Sequence, residues 1–329
     1  MTPDSIHWPR FAEIVRGHDR FLLTSHIRPD CDALGSELGM AGVLESLGKQ
    51  VTIVNGQSTP PNLAFIDPER KIRALGQDIQ ASQIDAQVLI VLDTSAWQQL
   101  GPMADVVRGS QARKLVIDHH LSEDDLGAEP FKNTSAEATG RLVVEAADAL
   151  GVTITEKIAL PLFAAIATDT GWFRFPSTSG GTYRVAARLV DAGVRPQQLW
   201  TALYEQDTLA RLQLRGRILA RTTSDMEGRL MYTWVEEADF RETGALRSDT
   251  EDVINLTLSV QGVEVAVIFV EQPGGDFKIS FRSRTQVSCS PLAEKFGGGG
   301  HKAAAGASVS GPLASAQRAV LDAVRAAMR

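Results

Sequence analysis

Leu22-Leu23-Thr24-Ser25-His26-Ile27-Arg28-Pro29-Asp30-Cys31-Asp32-Ala33-Leu34-Gly35-Ser36 decides the fold. An apolar run ends in a polar bend carrying one histidine and two aspartates, and small residues at helical spacing follow at once. A buried strand of an open α/β sheet delivers such a bend at its C-terminal mouth, where ligands bind in this architecture. Imidazole together with carboxylates suits a divalent cation of the Mn, Fe or Zn type. Three such residues in one bend make a site only if other strands bring ligands to the same edge.

The pattern recurs along the chain. Residues 86–92 form an apolar run typical of a strand buried on both faces, and it ends in Asp93-Thr94-Ser95. Residues 114–117 form another, ending in Asp118-His119-His120. With strands also expected over 20–25 and 51–54 and helices between them, the N-terminal part is a parallel, doubly wound sheet. Helices are expected over 8–15 and 33–47, with Gly48 as C-cap, and over 135–150, with Ser135 as N-cap. A further helix over 156–168 is closed by Asp169-Thr170-Gly171.

Helical patterns follow over 183–191 and 196–205. A helix over 209–223 carries Arg211, Arg215, Arg217 and Arg221 on what reads as a solvated face. The texture then changes: a strand over 230–235, a capped helix over 248–259, and a hairpin of 263–271 and 276–284 around Pro273-Gly274-Gly275. The expected organisation is a catalytic α/β domain over 1–194, a helical linker over 195–224 and a smaller α/β domain over 225–329. The active-site cleft is expected between the two domains.

Composition bounds the function. Of 329 residues, 43% are hydrophobic and 22% charged, which suits an ordinary globular protein with a sizeable core. The net charge of −7 argues against a broad basic surface for long duplex nucleic acid, while a local pocket for a short polyanion remains compatible. Cys31 and Cys289 are the only cysteines, so no disulfide framework is indicated and a reducing cytoplasm is the simplest setting. No stretch approaches the roughly 20 apolar residues of a membrane span. Asp4, His7 and Arg10 stand where a leader peptide would need an apolar core.

Taken one at a time, Asp93-Thr94 and Asp169-Thr170 also suit turns or helix caps, and His119 or His120 a loop hydrogen bond. Parallel strand ends lie side by side, however, so His26/Asp30/Asp32, Asp93, Asp118/His119/His120 and Asp169 would meet at one sheet edge. Carboxylates so crowded repel one another, and cations are the usual remedy. Two metals sharing a carboxylate would neutralise the set and build a hydrolytic centre.

These motifs, followed by Gly297-Gly298-Gly299-Gly300-His301 near the C-terminus, resemble those of the DHH–DHHA1 phosphoesterase superfamily over about residues 20–310. Length and layout are similar to its nanoRNase/pAp-phosphatase branch. The resemblance implies two Mn²⁺ ions, with other divalent cations as alternatives. His26 and Asp30 would hold the first, Asp32, His119 and Asp169 the second, and Asp93 would bridge them. It further implies that His120 contacts the substrate or helps the leaving oxygen, and that Asp118 orients a neighbouring histidine. In the second domain it implies substrate contacts from Gly298, Gly299, Gly300 and His301.

Arg282 and Arg284, two apart on an expected strand, add a basic face whose guanidinium forks suit phosphates, or else an ordinary solvated edge. The implied activity is Mn-dependent hydrolysis of short oligoribonucleotides and linear dinucleotides such as pApA and pGpG, with pAp as a further substrate. Cyclic dinucleotide hydrolysis and a non-catalytic nucleotide-binding module are the alternatives. The chain would act as a monomer or homodimer without a membrane partner. Cys31 stands where many relatives carry glycine: either a tolerated small residue or a soft thiolate beside the metals.

Overall fold

Every residue of Val88–Leu92 is buried, as a strand covered on both faces requires. In the computed structural model, which describes residues 6–121 and 124–329 and leaves Asp4 outside, this strand is β4 of a six-stranded parallel sheet. The others are β1 (Arg20–Thr24), β2 (Gln50–Asn55), β3 (Ile72–Ala74), β5 (Arg113–Asp118) and β6 (Glu129–Lys132). Their spatial order is β3-β2-β1-β4-β5-β6. The register sets Leu23 beside Ile53 and Ile90, and Ile90 beside Leu115. The winding reverses between β1 and β4, the switch point at whose C-terminal strand ends open α/β sheets bind their ligands.

The helices of this unit are α1 (Trp8–Arg16), α2 (Cys31–Ser46), α3 (Trp97–Leu100), α4 (Met103–Gly109), α5 (Thr139–Leu150), α6 (Glu156–Asp169), α7 (Gly180–Asp191) and α8 (Pro196–Tyr204). The small residues of α2 let it lie close against α6. A Cβ on Gly35 would stand 2.3 Å from the carbonyl oxygen of Pro161, so no larger residue fits there without moving α6. That approach brings the start of α2, with Asp32, towards the end of α6, where Asp169 stands.

Two compact units divide the chain, one ending at Glu205 and one running from Gln206 to Arg329. The second holds a mixed sheet in the order β11-β12-β10-β9-β8-β7. Its strands are β7 (Thr223–Asp225), β8 (Leu230–Val235), β9 (Val265–Glu271), β10 (Phe277–Ser283), β11 (Gly299–Gly300) and β12 (Ala304–Val309). Only the β8–β9 pair is parallel. Its helices are α9 (Leu209–Ala220), α10 (Glu237–Thr243), α11 (Val253–Leu258), α12 (Cys289–Glu294) and α13 (Leu313–Ala327). Phe269, Ile279, Phe281 and Val320 form one core beneath the sheet, and Leu214, Ile218, Ala266 and Ile268 another on its other face.

Four expectations need correction. The segment 195–224 is shared between the units rather than standing apart as a linker. Leu199 is buried in the first core, while Leu214 and Ile218 of α9 are fully buried in the second. Nor do the α9 arginines make a free solvated face: Arg221 is 2.8 Å from Asp239, Arg217 pairs with Glu242, and Arg211 and Arg215 pair with Asp207. The helix expected over 248–259 is broken at Asp252, which takes a left-handed φ of +65° between a short 3₁₀ turn and α11. Finally, α5 begins at Thr139 rather than Ser135, for a reason that lies in the site. Among the described residues, no helix is long and apolar enough to cross a membrane.

Candidate metal centre

His26, two residues past β1, is fixed by its own neighbour. Its Nδ1 donates to the carbonyl of Ile27 at 3.0 Å, which turns Nε2 towards Asp93 (3.4 Å) and Asp30 (3.9 Å). Asp30 is the N-cap of α2: one oxygen accepts from the backbone N–H groups of Asp32 and Ala33 at 3.0 and 3.1 Å. Asp93 follows β4 directly and takes a left-handed φ of +63°, a conformation that Asp tolerates better than most residues. Its N–H still bonds the carbonyl of Ile117 on β5, so the bend is anchored to the sheet. Thr139 Oγ1 donates to Asp93 Oδ1 at 2.8 Å.

Asp32 is almost wholly buried, and it caps a helix more than 100 residues away in sequence. Its two oxygens accept the N–H groups of Thr139 (2.8 Å) and Gly140 (2.9 Å) at the start of α5, and Ser36 Oγ adds a third donor at 3.2 Å. An acid there needs no local cap at Ser135, which is why α5 starts late.

His119, just after β5, donates from Nδ1 to the carbonyl of Ala136 at 3.1 Å. Its Nε2 faces Asp93 at 3.6 Å, Asp169 at 3.6 Å and Asp32 at 3.7 Å. Three overlapping groups result: His26/Asp30/Asp93, Asp32/His119/Asp169 and Asp93/His119/His120, each with candidate ligand atoms within 4.8 Å of one another.

The donor set fits divalent cations on grounds of its own. Metal-binding histidines commonly give their second N–H to a backbone carbonyl, leaving the other nitrogen bare for the ion. His26 and His119 both do this. The carboxylates register the crowding: burial pushes the Asp32 carboxyl well above its usual range, and the charges of Asp93 and Asp169 push it further. Burial raises Asp169 as well, with Asp93 and Asp30 adding to it against the pull of His119. For His26, burial favours the neutral ring, but the bond to Asp93, the Ile27 carbonyl and Asp30 together raise it to about 9. Positive charge is what this cavity favours, as protons or as cations.

His120 is held differently. Its Nδ1 lies 2.8 Å from Asp118 Oδ1, and its backbone N–H bonds the same oxygen at 3.1 Å. Asp118 is fully buried, and its second oxygen accepts from Ser95 and lies 3.2 Å from Lys132 Nζ. Burial alone would raise Asp118, yet the bonds from His120 and Ser95 prevail and hold it down at about 2. An ionised Asp118 thus fixes one nitrogen of a half-exposed imidazole and leaves Nε2 available.

Ser95, Lys132 and Thr139 escape sequence reading. Ser95 stands in the quoted Asp93-Thr94-Ser95 turn, but Lys132 lies on the short, proline-containing Glu129–Lys132 strand, which carries no strand signature.

Cys31 is buried at the first position of α2, and burial pushes its thiol up to about 12 despite a bond to Thr168. Burial thus favours the protonated thiol over the thiolate.

The substrate residues expected in the second unit divide into two kinds. Gly299–Gly300 is a strand paired with Ala305 and Gly306, and a Cβ on Gly298 would lie 2.1 Å from the Gly306 carbonyl oxygen. Gly298 and Gly300 are thus required by backbone packing, whatever else they bind, while a Cβ on Gly299 would meet open space. His301 is exposed beside them, its N–H bonded to Ala304 at 2.7 Å. Arg282 is half-buried and bonds the Phe281 carbonyl at 3.0 Å. Arg284 departs from the expected shared face: β10 ends at Ser283, and the Arg284 guanidinium is committed to the carbonyls of Val263 and Val260, the latter at 2.7 Å. Arg284→Ala should therefore lower the unfolding free energy of the second unit by about 1–3 kcal/mol, since two carbonyls lose a charged donor. Denaturant unfolding followed by the fluorescence of Trp234 checks this.

Histidines and carboxylates from separate segments meet at the switch point of a parallel sheet in groups that could hold metal ions, and the relatives of the chain make its class a hydrolase of phosphoester bonds. Residues 20–166 match the DHH family N-terminal domain, and residues 228–329 match the DHHA1 domain. The chain belongs to the DHH family. It is 32% identical to the bifunctional oligoribonuclease and PAP phosphatase NrnA of Thermus thermophilus, over 98% of this chain and 96% of that protein. It is 27% identical to the protein of the same name in Bacillus subtilis, over 91% and 93%. Among solved structures, an exopolyphosphatase-related protein from Bacteroides fragilis superposes with a TM-score of 0.83 at 25% identity, covering 98% of this chain and 95% of that one.

Proposed function

We propose that the chain is a Mn²⁺-dependent phosphodiesterase that hydrolyses short oligoribonucleotides and linear dinucleotides such as pApA and pGpG to mononucleotides, and pAp as well. The observation that carries this is the sharing of Asp93 between the His26/Asp30 group and the His119/His120 group, with His119 in turn shared with Asp32 and Asp169, the arrangement a two-metal centre needs. His26, Asp30 and Asp93 would hold one ion, and Asp93, Asp32, His119 and Asp169 the other. Bound there, the ions supply Lewis acidity that activates water and offsets the phosphodiester's negative charge.

The chain's own residues do the rest. The Ile27 and Ala136 carbonyls hold the two histidines in the ligating tautomer. The N-termini of α2 and α5 fix Asp30 and Asp32. His120, whose Nδ1 is tied to Asp118, gives a proton from Nε2 to the leaving ribose oxygen and takes another from solvent. Gly298, Gly299, Gly300, His301 and Arg282 contribute to holding the substrate. The net charge of −7 favours short substrates, because long ones need many phosphate contacts. The names of the Thermus and Bacillus relatives agree with this range. Two unpaired cysteines fit a reducing compartment, the cytoplasm.

The test is mononucleotide release from pApA, pAp, cyclic di-AMP, a 5-mer and a 24-mer with Mn²⁺. Expected is turnover of pApA and the 5-mer, lost with chelator and restored by Mn²⁺. Preference for the 24-mer or for cyclic di-AMP would replace this reading, and no turnover at all would leave a binding module.

A further inference from the structure

A group of aromatic rings beyond Asp169 has no part in the chemistry above. Gly171, Trp172 and Phe173 take φ values of +55°, +58° and +64°. Two consecutive aromatic residues held left-handed are costly, and such strain persists only where the surroundings impose it. The turn lays Trp172 against Trp200 of α8, with ring centroids 5.3 Å apart and planes 13° apart. Tyr204, one helical turn beyond Trp200, lies 4.6 Å from Trp200 and 6.0 Å from Trp172.

Trp172 and Phe173 rest on the first core, whereas Trp200 and Tyr204 are 39% and 48% exposed. Trp200 Nε1 donates to Glu205 at 3.1 Å, so the exposed ring is held in one orientation. The result is a rigid stack with its base in the core and its end open to solvent. It also adjoins the metal centre. Trp172 is three residues past Asp169 on the same turn. Its backbone N–H bonds the carbonyl of Ala167 at 2.6 Å, which folds this turn back onto the end of α6 that carries Asp169.

We propose that Trp172, Trp200 and Tyr204 form a stacking subsite for a nucleobase of the substrate whose phosphate is hydrolysed at the His/Asp centre. This rests on the phosphodiesterase reading above and adds to it the group that distinguishes a nucleotide from any other phosphoester. Every base has a flat π face, so a platform of this kind accepts purines and pyrimidines alike without reading their edges. The subsite therefore selects for the presence of a base rather than for its identity. The other occupant such a surface could take is a second copy of the chain.

The experiment uses the full-length, Mn²⁺-loaded protein. Tryptophan fluorescence is titrated with AMP and with ribose 5-phosphate, and pApA kinetics and sedimentation are compared for wild type, Trp200→Ala, Trp200→Phe and Tyr204→Ala. Expected is quenching by AMP at concentrations where ribose 5-phosphate has no effect. Trp200→Ala should raise KM for pApA about tenfold, the range of one lost base–aromatic stack, and by a larger factor than it lowers kcat. Trp200→Phe, which keeps a ring, should recover most of that loss and guards against a folding artefact in the alanine variant. Equal quenching by both ligands, or an unchanged KM in Trp200→Ala, would overturn the subsite. So would a wild-type dimer that Trp200→Ala dissociates while AMP binding stays intact. If pApA is not hydrolysed at all, AMP-specific quenching that vanishes in Trp200→Ala would still support the base site while sinking the phosphodiesterase reading.

Discussion

Asp93→Asn should leave a folded protein with almost no hydrolytic activity, kcat/KM on pApA falling by about three orders of magnitude or more, a loss of about 4 kcal/mol in transition-state stabilisation. The substitution is chosen to isolate charge. Asn tolerates the left-handed backbone that Asp93 adopts, and its amide oxygen can still accept from Thr139 Oγ1. What disappears is the negative charge common to two of the three ligand groups. Neither cation position is then complete, so bound manganese per chain should fall together with activity while the far-ultraviolet circular dichroism stays unchanged. Metal analysis of the dialysed variant beside its kinetics makes the measurement. Normal turnover in a variant with normal metal content would mean that Asp93 is not shared, and the two-metal assignment would go with it.

The parts of this centre that a sequence reader can see are those set by strand ends. His26, Asp93 and His119 each sit one to three residues beyond a strand whose residues are apolar enough to announce themselves, and parallel pairing then forces them together. Asp169 is legible in the same way, at the end of an apolar helix. What escapes is whatever depends on a partner distant in sequence. Nothing near Ser135 says that α5 will be capped by Asp32, so the nearest serine is taken as the cap and the helix is started four residues early.

Arg284 fails for a related reason. Alternation along a strand assigns faces only while the strand lasts, and β10 ends one residue before it. There the chain bends and the guanidinium finds two carbonyls, of Val260 and Val263, in the loop between α11 and β9. Lys132 is hidden because four residues containing a proline do not read as a strand, although β6 places its ammonium beside the buried carboxylate of Asp118. Local pattern thus locates the ligands, and long-range hydrogen bonding decides which of them also hold the fold.

That last distinction has a measurable consequence for two ligands of one ion. Asp32→Ala and Asp169→Ala should abolish activity to a similar degree, because Asp32, His119 and Asp169 form one group and losing any carboxylate leaves it incomplete. Their effects on stability should differ in size and in sign. Asp32 is 2% exposed and satisfies the N–H groups of Thr139 and Gly140 at the start of α5. Alanine leaves both donors buried without an acceptor and removes the cap, a cost of about 2–4 kcal/mol. Relief of the repulsion from Asp93 and Asp169, which adds to burial in raising the Asp32 carboxyl, offsets only part of this. The side chain of Asp169 is 37% exposed and faces His119 at 3.6 Å. Its removal takes one negative charge away from Asp32 and Asp93 and uncovers no helix end, so unfolding free energy should hold or rise slightly. Both variants are to be unfolded in denaturant with a chelator present, since cation binding to the native state alone would otherwise add its own stabilisation to the wild type. Equal destabilisation by the two alanines would mean that the α5 N-terminus finds another acceptor when Asp32 is gone, and Asp32 would then be a ligand only.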